Sequence, residues 1–408
     1  MDERLKVVNY KEKNVPDYVL PDPLLCTDGT RVADTGTWTG KRRPEILELF
    51  REHVYGHTPS VKPAASFDVT SVDEGAMGRS ATRKEVTVSF SYQDRRHTMD
   101  ILIYLPNSAE KPVPVFLGLN FLGNHAISAD PDIKISDRWV HNRYPGVVNN
   151  RATEKSRGIL AERWQVEKIV SRGYGLATIY YGDLEPDHPL GWQDGIRAFL
   201  HDDGKNAKFG PSDWGAIGAW AWGLSRAVDY FEHDTDIDAG RTAVIGHSRL
   251  GKTALWAGVQ DERFAFVISN DSGCGGAALS RRCFGETLYH INHNFPHWFC
   301  GNFKSYNDRE ASLPVDQHEL ISLMAPRPVY VASAEEDLWA DPRGEFLSAK
   351  NAEPIYELYG KPGLGVPDMP PVNHPVGDSI GYHIRSGKHD VTSYDWDRYL
   401  DFADRHLQ

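Results

Sequence analysis

The sequence predicts a mainly parallel, doubly wound α/β sheet with helices on both faces. Three observations predict it. Two alternating apolar–polar segments near the start read as an antiparallel hairpin. Five later segments are short, nearly continuous apolar runs, as in strands covered on both faces. Helical periodicity lies between those runs, and strands alternating with helices build a parallel sheet.

Taken in order, residues 1–40 contain VPDYVLPDPL, an extended, proline-spaced stretch expected to wrap the surface. EILELFREHVYG (45–56) has the apolar spacing of a short amphipathic helix. KEVTVSFSYQ (84–93) and TMDILIYLP (98–106) form the hairpin around a polar turn, DRRH. The buried strands are PVPVFLGLNF (112–121), YGLATIYY (174–181), TAVIGHS (242–248), FAFVISND (264–271) and PVYVASAE (328–335). Helices are expected over 161–173, 213–234, 251–260 and 316–325. GYHIRSG (381–387) is a last strand, and 393–407 a closing helix. Two stretches, about 122–160 and 183–212, carry little periodicity. Both leave C-terminal ends of strands, where ligands bind in open α/β sheets. Long loops there are more often functional than disordered. No repeat or low-complexity linker divides the chain, so residues 1–408 are read as one domain.

Charge and composition exclude several functions. Lys and Arg number 45 against 57 Asp and Glu, a net charge of −12. Nucleic-acid binding wants a basic face, so no nucleic-acid partner is expected. Nor is a membrane partner, since no apolar run is long enough to span a bilayer. The N-terminus, MDERLKVVNYKEK, lacks the apolar core of a signal peptide. Either the chain is cytosolic, or it is exported and its signal has been removed. Aromatic, proline-rich loops suit a surface that stacks on sugars, though a loop-rich core reads the same way. The four cysteines, Cys26, Cys274, Cys283 and Cys300, include no CxxC pair, so no zinc ribbon is expected. His290, His293 and His297 in HINHNFPH carry no metal-helix motif, and N-F-P breaks a helix before the third. Neither a metal nor a cofactor is expected.

GHSRLGK (246–252) carries the chemistry. It fits G-x-S-x-G with one extra residue before the second glycine. An apolar strand precedes it and a helix follows, the context of a nucleophile elbow with Ser248 at the tip. A capping serine at an ordinary strand–turn–helix would look alike in isolation. A nucleophilic serine needs a base and an oriented acid, and in α/β hydrolases the chain order is Ser, acid, His. His389 in SGKHDVTSYDW follows the last strand and precedes the closing helix. Three carboxylates are candidates for the acid. Asp337 follows the late strand, Asp271 ends the strand after the elbow helix, and Asp341 is a third choice. Arg249 and Lys252 sit in the first helical turn, where cations oppose the helix dipole and therefore need a reason.

These residues make the chain resemble the glucuronoyl esterases, carbohydrate esterase family 15, and most of all their bacterial branch. The resemblance rests on GHSRLGK, SNDSGCGGAALSRR, FGET, PHWFC, APRPVYVASAEEDLWADPRGEF and GYHIRSGKHD, in that order. It implies an α/β-hydrolase fold and a serine esterase. The bonds cleaved would join (4-O-methyl-)glucuronic acid of glucuronoxylan to lignin alcohols. It assigns Arg249 to the oxyanion and Lys252, Glu286 and Trp339 to the uronate. Fungal members carry the acid at the position of Asp271, many bacterial members at that of Asp337. Asp337 is expected as principal acid and Asp271 as auxiliary. The resemblance further implies a secreted or periplasmic monomer acting on lignin–carbohydrate esters, and an exported enzyme favours a Cys274–Cys300 disulfide. The competing readings are an acetyl or feruloyl esterase on the same fold, and an inactive carbohydrate-binding relative.

Overall fold

The computed structural model describes residues 3–407. Twelve strands form in chain order: β1 Ala64–Asp73, β2 Ala81–Tyr92, β3 Arg95–Pro106, β4 Val113–Asn120, β5 Val147–Val148, β6 Arg151–Ala152, β7 Gly175–Tyr180, β8 Ile237–His247, β9 Phe264–Asn270, β10 Val329–Ala334, β11 Val376–Gly377 and β12 Ile380–Arg385. Ten of them make one sheet, in the order β1-β2-β3-β7-β4-β8-β9-β10-β12-β11. The pairs from β7 through β12 are parallel. The hairpin side, β1-β2-β3-β7, is antiparallel, as is the β11–β12 edge.

Two apolar layers sandwich the sheet. On one face pack the helices Ala216–Phe231, Arg249–Gln260 and Pro342–Leu358, through Trp220, Trp256 and Tyr356 among others. On the other pack Val166–Ser171 and Ser393–His406, through Ile169, Trp396 and Phe402. This is the three-layer α/β-hydrolase arrangement expected, with each apolar run a strand buried on both faces.

Several boundaries differ from expectation, each for a local reason. The hairpin turn is Gln93-Asp94, not DRRH, because Gln93 takes a left-handed φ of 54° and Arg95 already pairs with Tyr92. The helix expected over 161–173 breaks at Gln165, also left-handed at φ 42°. β1 is an edge strand with almost no buried position, so it lacks the alternation that marks a strand. The helix Pro342–Leu358 holds Pro354 and a polar sequence, which hid it. The two aperiodic stretches contain only the β5–β6 hairpin and short helical turns, and they overhang the C-terminal ends of the strands.

Candidate active site

The candidate residues lie at the C-terminal ends of parallel strands or in the loops that follow them, except Arg249 and Lys252, which lie in the first turns of the helix after β8. Ser248 joins β8 to the helix Arg249–Gln260 with φ 59° and ψ −128°, a conformation rare outside glycine. Such strain costs of order 1–3 kcal/mol and persists only where the surroundings impose it. Here they do. The Ser248 N–H donates to the Asn270 carbonyl of β9 at 2.9 Å. Gly246 lets the elbow close, since a Cβ there would stand 1.9 Å from the Leu250 carbonyl oxygen.

His389 sits in the turn after β12, and its Nδ1 lies 2.6 Å from Asp337 Oδ2. Asp337 is buried just past β10, while the imidazole is 42% exposed and open to a ligand. Asp271 is close by: one donor-type atom from each of Asp271, Asp337 and His389 falls within 4.8 Å of the others. Yet Asp271 is engaged elsewhere. Its Oδ2 accepts from Asp390 N at 3.3 Å and faces Arg385 Nη2 at 3.5 Å, while Oδ1 has no partner. Burial pushes its carboxyl well up, Glu345 and Asp337 add to this, and Arg385 opposes it. Asp341, the third candidate acid, is spent on structure. It caps the helix Pro342–Leu358 through Gly344 N at 3.0 Å and pairs with Arg282 at 2.8 Å.

The histidine loop is held from below. Arg385 donates to the carbonyls of Ser386 (3.1 Å), Lys388 (3.0 Å) and Asp390 (2.5 Å), which flank His389 on both sides. Asp395 anchors that guanidinium at 2.7 Å. Arg163 grips Asp390 Oδ1 at 2.7 Å. The ring of His247 lies 4.4 Å from that of His389, and burial drives its pKa well down, so it offers the histidine a neutral neighbour.

The two cations beside the serine are both buried and both partnered. Arg249 pairs with Asp187, and its guanidinium lies over Trp298 at 4.8 Å, with Phe295 and Phe121 at 5.6 and 5.7 Å. Its Nε has no partner. Asp187 also accepts from His297 (2.8 Å) and Trp298 (2.7 Å). Burial would raise the Asp187 carboxyl, but Arg249 and His297 hold it below the usual range. Sequence reasoning missed Asp187 and Trp298, and weighed His297 only as a metal ligand. PHWFC drew attention only as part of the resemblance, and nothing in EPDHPL marked Asp187. Lys252 donates to the Ser272 carbonyl. Burial lowers its pKa, and Glu286 opposes that. Burial raises Glu286 to about 7, against Lys252 and Trp339. The Glu286 N–H donates to the Trp339 carbonyl at 2.9 Å, which ties the two loops together.

One expectation is contradicted. All four cysteines are free, so the Cys274–Cys300 disulfide is absent. Cys300 Sγ turns to the Glu52 carbonyl at 3.7 Å, and Cys274 is buried in the apolar core. His290, His293 and His297 diverge. His290 closes a capping box on Thr287, His293 lies against Tyr289, and His297 bonds Asp187.

A strained serine, a histidine–carboxylate pair and a buried arginine at the C-terminal end of one parallel sheet are the parts of an acyl-transfer site. Comparison with known proteins identifies which family uses them. The family model "Glucuronyl esterase, fungi" matches residues 207–360. "Carbohydrate esterase MZ0003", from an unknown prokaryotic organism, is 52% identical over 98% of this chain and 92% of its own. The chain belongs to carbohydrate esterase family 15, the glucuronoyl esterases. Among solved structures of this family, a promiscuous CE15 esterase from a marine bacterial metagenome superposes with a TM-score of 0.91. It is 52% identical, and the match covers 98% of this chain and 100% of that one. The glucuronoyl esterase from Solibacter usitatus matches with the same score and identity, over 97% and 100%. Like its relatives in family 15, the protein is a carboxylic ester hydrolase with the α/β-hydrolase fold.

Proposed function

We propose that this esterase cleaves esters of glucuronic acid, with or without its 4-O-methyl group, through an acyl-enzyme on Ser248. The observation that carries the reading is two buried, electrostatically coupled charges beside the serine, Lys252 one helical turn along its helix and Glu286 in the loop after β9, a polar set suited to a hydroxylated sugar and costly to bury for any other purpose. His389 takes the Ser248 proton as the hydroxyl attacks the ester carbonyl. Asp337 orients the imidazole and stabilises its cation. The unpartnered Nε of Arg249, with the helix N-terminus, faces the oxyanion as it forms. Asp187 and the aromatic box fix that arginine in advance, so no reorganisation accompanies the charge. His389 then protonates the leaving alcohol. Water follows the same path and releases the uronate. Lys252 and Glu286 bind sugar hydroxyls, and Trp339 packs on the ring.

This reading places the enzyme on glucuronoxylan joined to lignin alcohols. It acts as a monomeric, one-domain catalyst outside the cytoplasm. Among the described residues, no helix is long and apolar enough to cross a membrane. The test compares turnover of benzyl glucuronate, acetylated xylan and methyl ferulate. Faster turnover of either of the last two overturns the uronate reading.

A further inference from the structure

We propose that residues 9–12 form part of the substrate site, and that Tyr10 is a stacking platform for the sugar to which the uronate is attached. The proposal rests on the uronate reading above. The strap is bonded directly to the loop that carries Glu286: the Gly285 N–H donates to the Asn9 carbonyl at 2.9 Å. Glu12 accepts from Arg282 Nη2 at 2.7 Å, and Arg282 also grips Asp341. Strap, Glu286 loop and Asp337–Asp341 turn are therefore stacked in that order. The stacking is tight. Gly285 has φ +61°, and a Cβ on it would stand 2.5 Å from the carbonyl oxygens of both Leu338 and Trp339.

Tyr10 stands on the outer edge of this stack. Its ring meets Phe284 edge to face at 6.3 Å, two residues before Glu286. It is close enough to Asp337 for that carboxylate, after burial, to push the phenol upward. The ring is 46% exposed and its hydroxyl bonds no protein group among the described residues. Leu338, exposed by 42%, extends the apolar surface. Lys252, Glu286 and Trp339 already account for the uronate ring, so Tyr10 meets the next unit outward. That unit is the glycan, because Tyr10 packs on the Glu286 loop through Phe284, while the leaving alcohol lies where His389 must protonate it. A flat ring with a polar tip suits the C–H face and hydroxyls of a pyranose.

The experiment uses two benzyl esters with the same leaving alcohol. One is of glucuronic acid alone, the other of glucuronic acid linked to a xylo-oligosaccharide. Wild type should favour the oligosaccharide ester through a lower KM. In Tyr10→Ala the ratio of kcat/KM between the two esters should fall about tenfold, carried by KM, the scale of a single aromatic anchor. Tyr10→Trp should keep it. An unchanged ratio in Tyr10→Ala, or a wild type with no preference for the oligosaccharide, overturns the platform and leaves the uronate reading standing. A wild type that hydrolyses neither ester overturns both.

Discussion

His389 Nδ1 stands 2.6 Å from Asp337 Oδ2, while Asp271, within the same cluster, bonds the backbone of the next residue in the loop instead of the ring. The two carboxylates therefore divide the work. In the mechanism proposed above, Asp337 orients the base, and Asp271 with Arg385 fixes the loop that carries it. Asp337→Asn should lower kcat by about 10³–10⁴, the scale of losing a triad acid. Asp271→Asn keeps an oxygen for Asp390 N and should cost kcat no more than about tenfold, with a lower Tm. Steady-state kinetics of both single variants and the double variant check this. A double variant much worse than Asp337→Asn alone would make Asp271 a second acid.

The Arg249–Asp187 pair predicts a different signature. Arg249→Ala removes an oxyanion donor and should lower kcat by about 10²–10³ with KM nearly unchanged. Lysine should not restore it, because the planar guanidinium is what fits between Asp187 and the Trp298 face. Asp187→Asn leaves the arginine in place but unpaired, and should cost less than Arg249→Ala.

Burial holds the Glu286 carboxyl near 7, so its ionisation falls within the working range. In the proposed sugar site the carboxylate, present above that pH, accepts hydrogen bonds from sugar hydroxyls and balances Lys252. KM for a glucuronate ester should therefore fall as pH rises from 6 to 8. Glu286→Gln should flatten this dependence and raise KM at pH 8. A KM profile identical in the two proteins would remove Glu286 from the sugar site.

Much of this was legible in the sequence, and the limits are physical. Buried strands announce themselves because both faces must be apolar, so β4, β7, β8, β9 and β10 were found within a few residues. GHSRLGK was legible because only glycine allows the 1.9 Å approach at Gly246. β1 was not, since an exposed edge strand needs no pattern. The choice of Asp337 over Asp271 and Asp341 rested on position and on the family resemblance, because all three follow strands or lie in one turn. Only the placing of His389, Arg385 and Arg282 distributes them. Asp187 was invisible for a related reason: it comes from an aperiodic loop and meets Arg249 across 62 residues of chain.

Beneath the site lies a carboxyl that the reaction does not touch. Glu345 is fully buried, and its Oε1 accepts from the N–H groups of Ser272 (2.8 Å) and Gly273 (2.9 Å), while Oε2 meets Ser333 Oγ at 2.6 Å. It thus supports the turn whose Ser272 carbonyl receives Lys252. Burial raises its pKa to about 8, against those hydrogen bonds and with help from Asp337. A carboxyl raised on folding stabilises fully below its unfolded pKa, and that contribution is lost as pH rises through the folded value. The contribution of Glu345 to wild-type stability should therefore decline between about pH 5 and 8. Glutamine imitates the protonated form: its oxygen keeps the two N–H groups, and its amide donates to Ser333. Glu345→Gln should match wild type near pH 5 and exceed its Tm by on the order of 5 °C at pH 8–9. Thermal melts of both proteins across that range decide the matter. Parallel curves would show that Glu345 stays ionised in the fold.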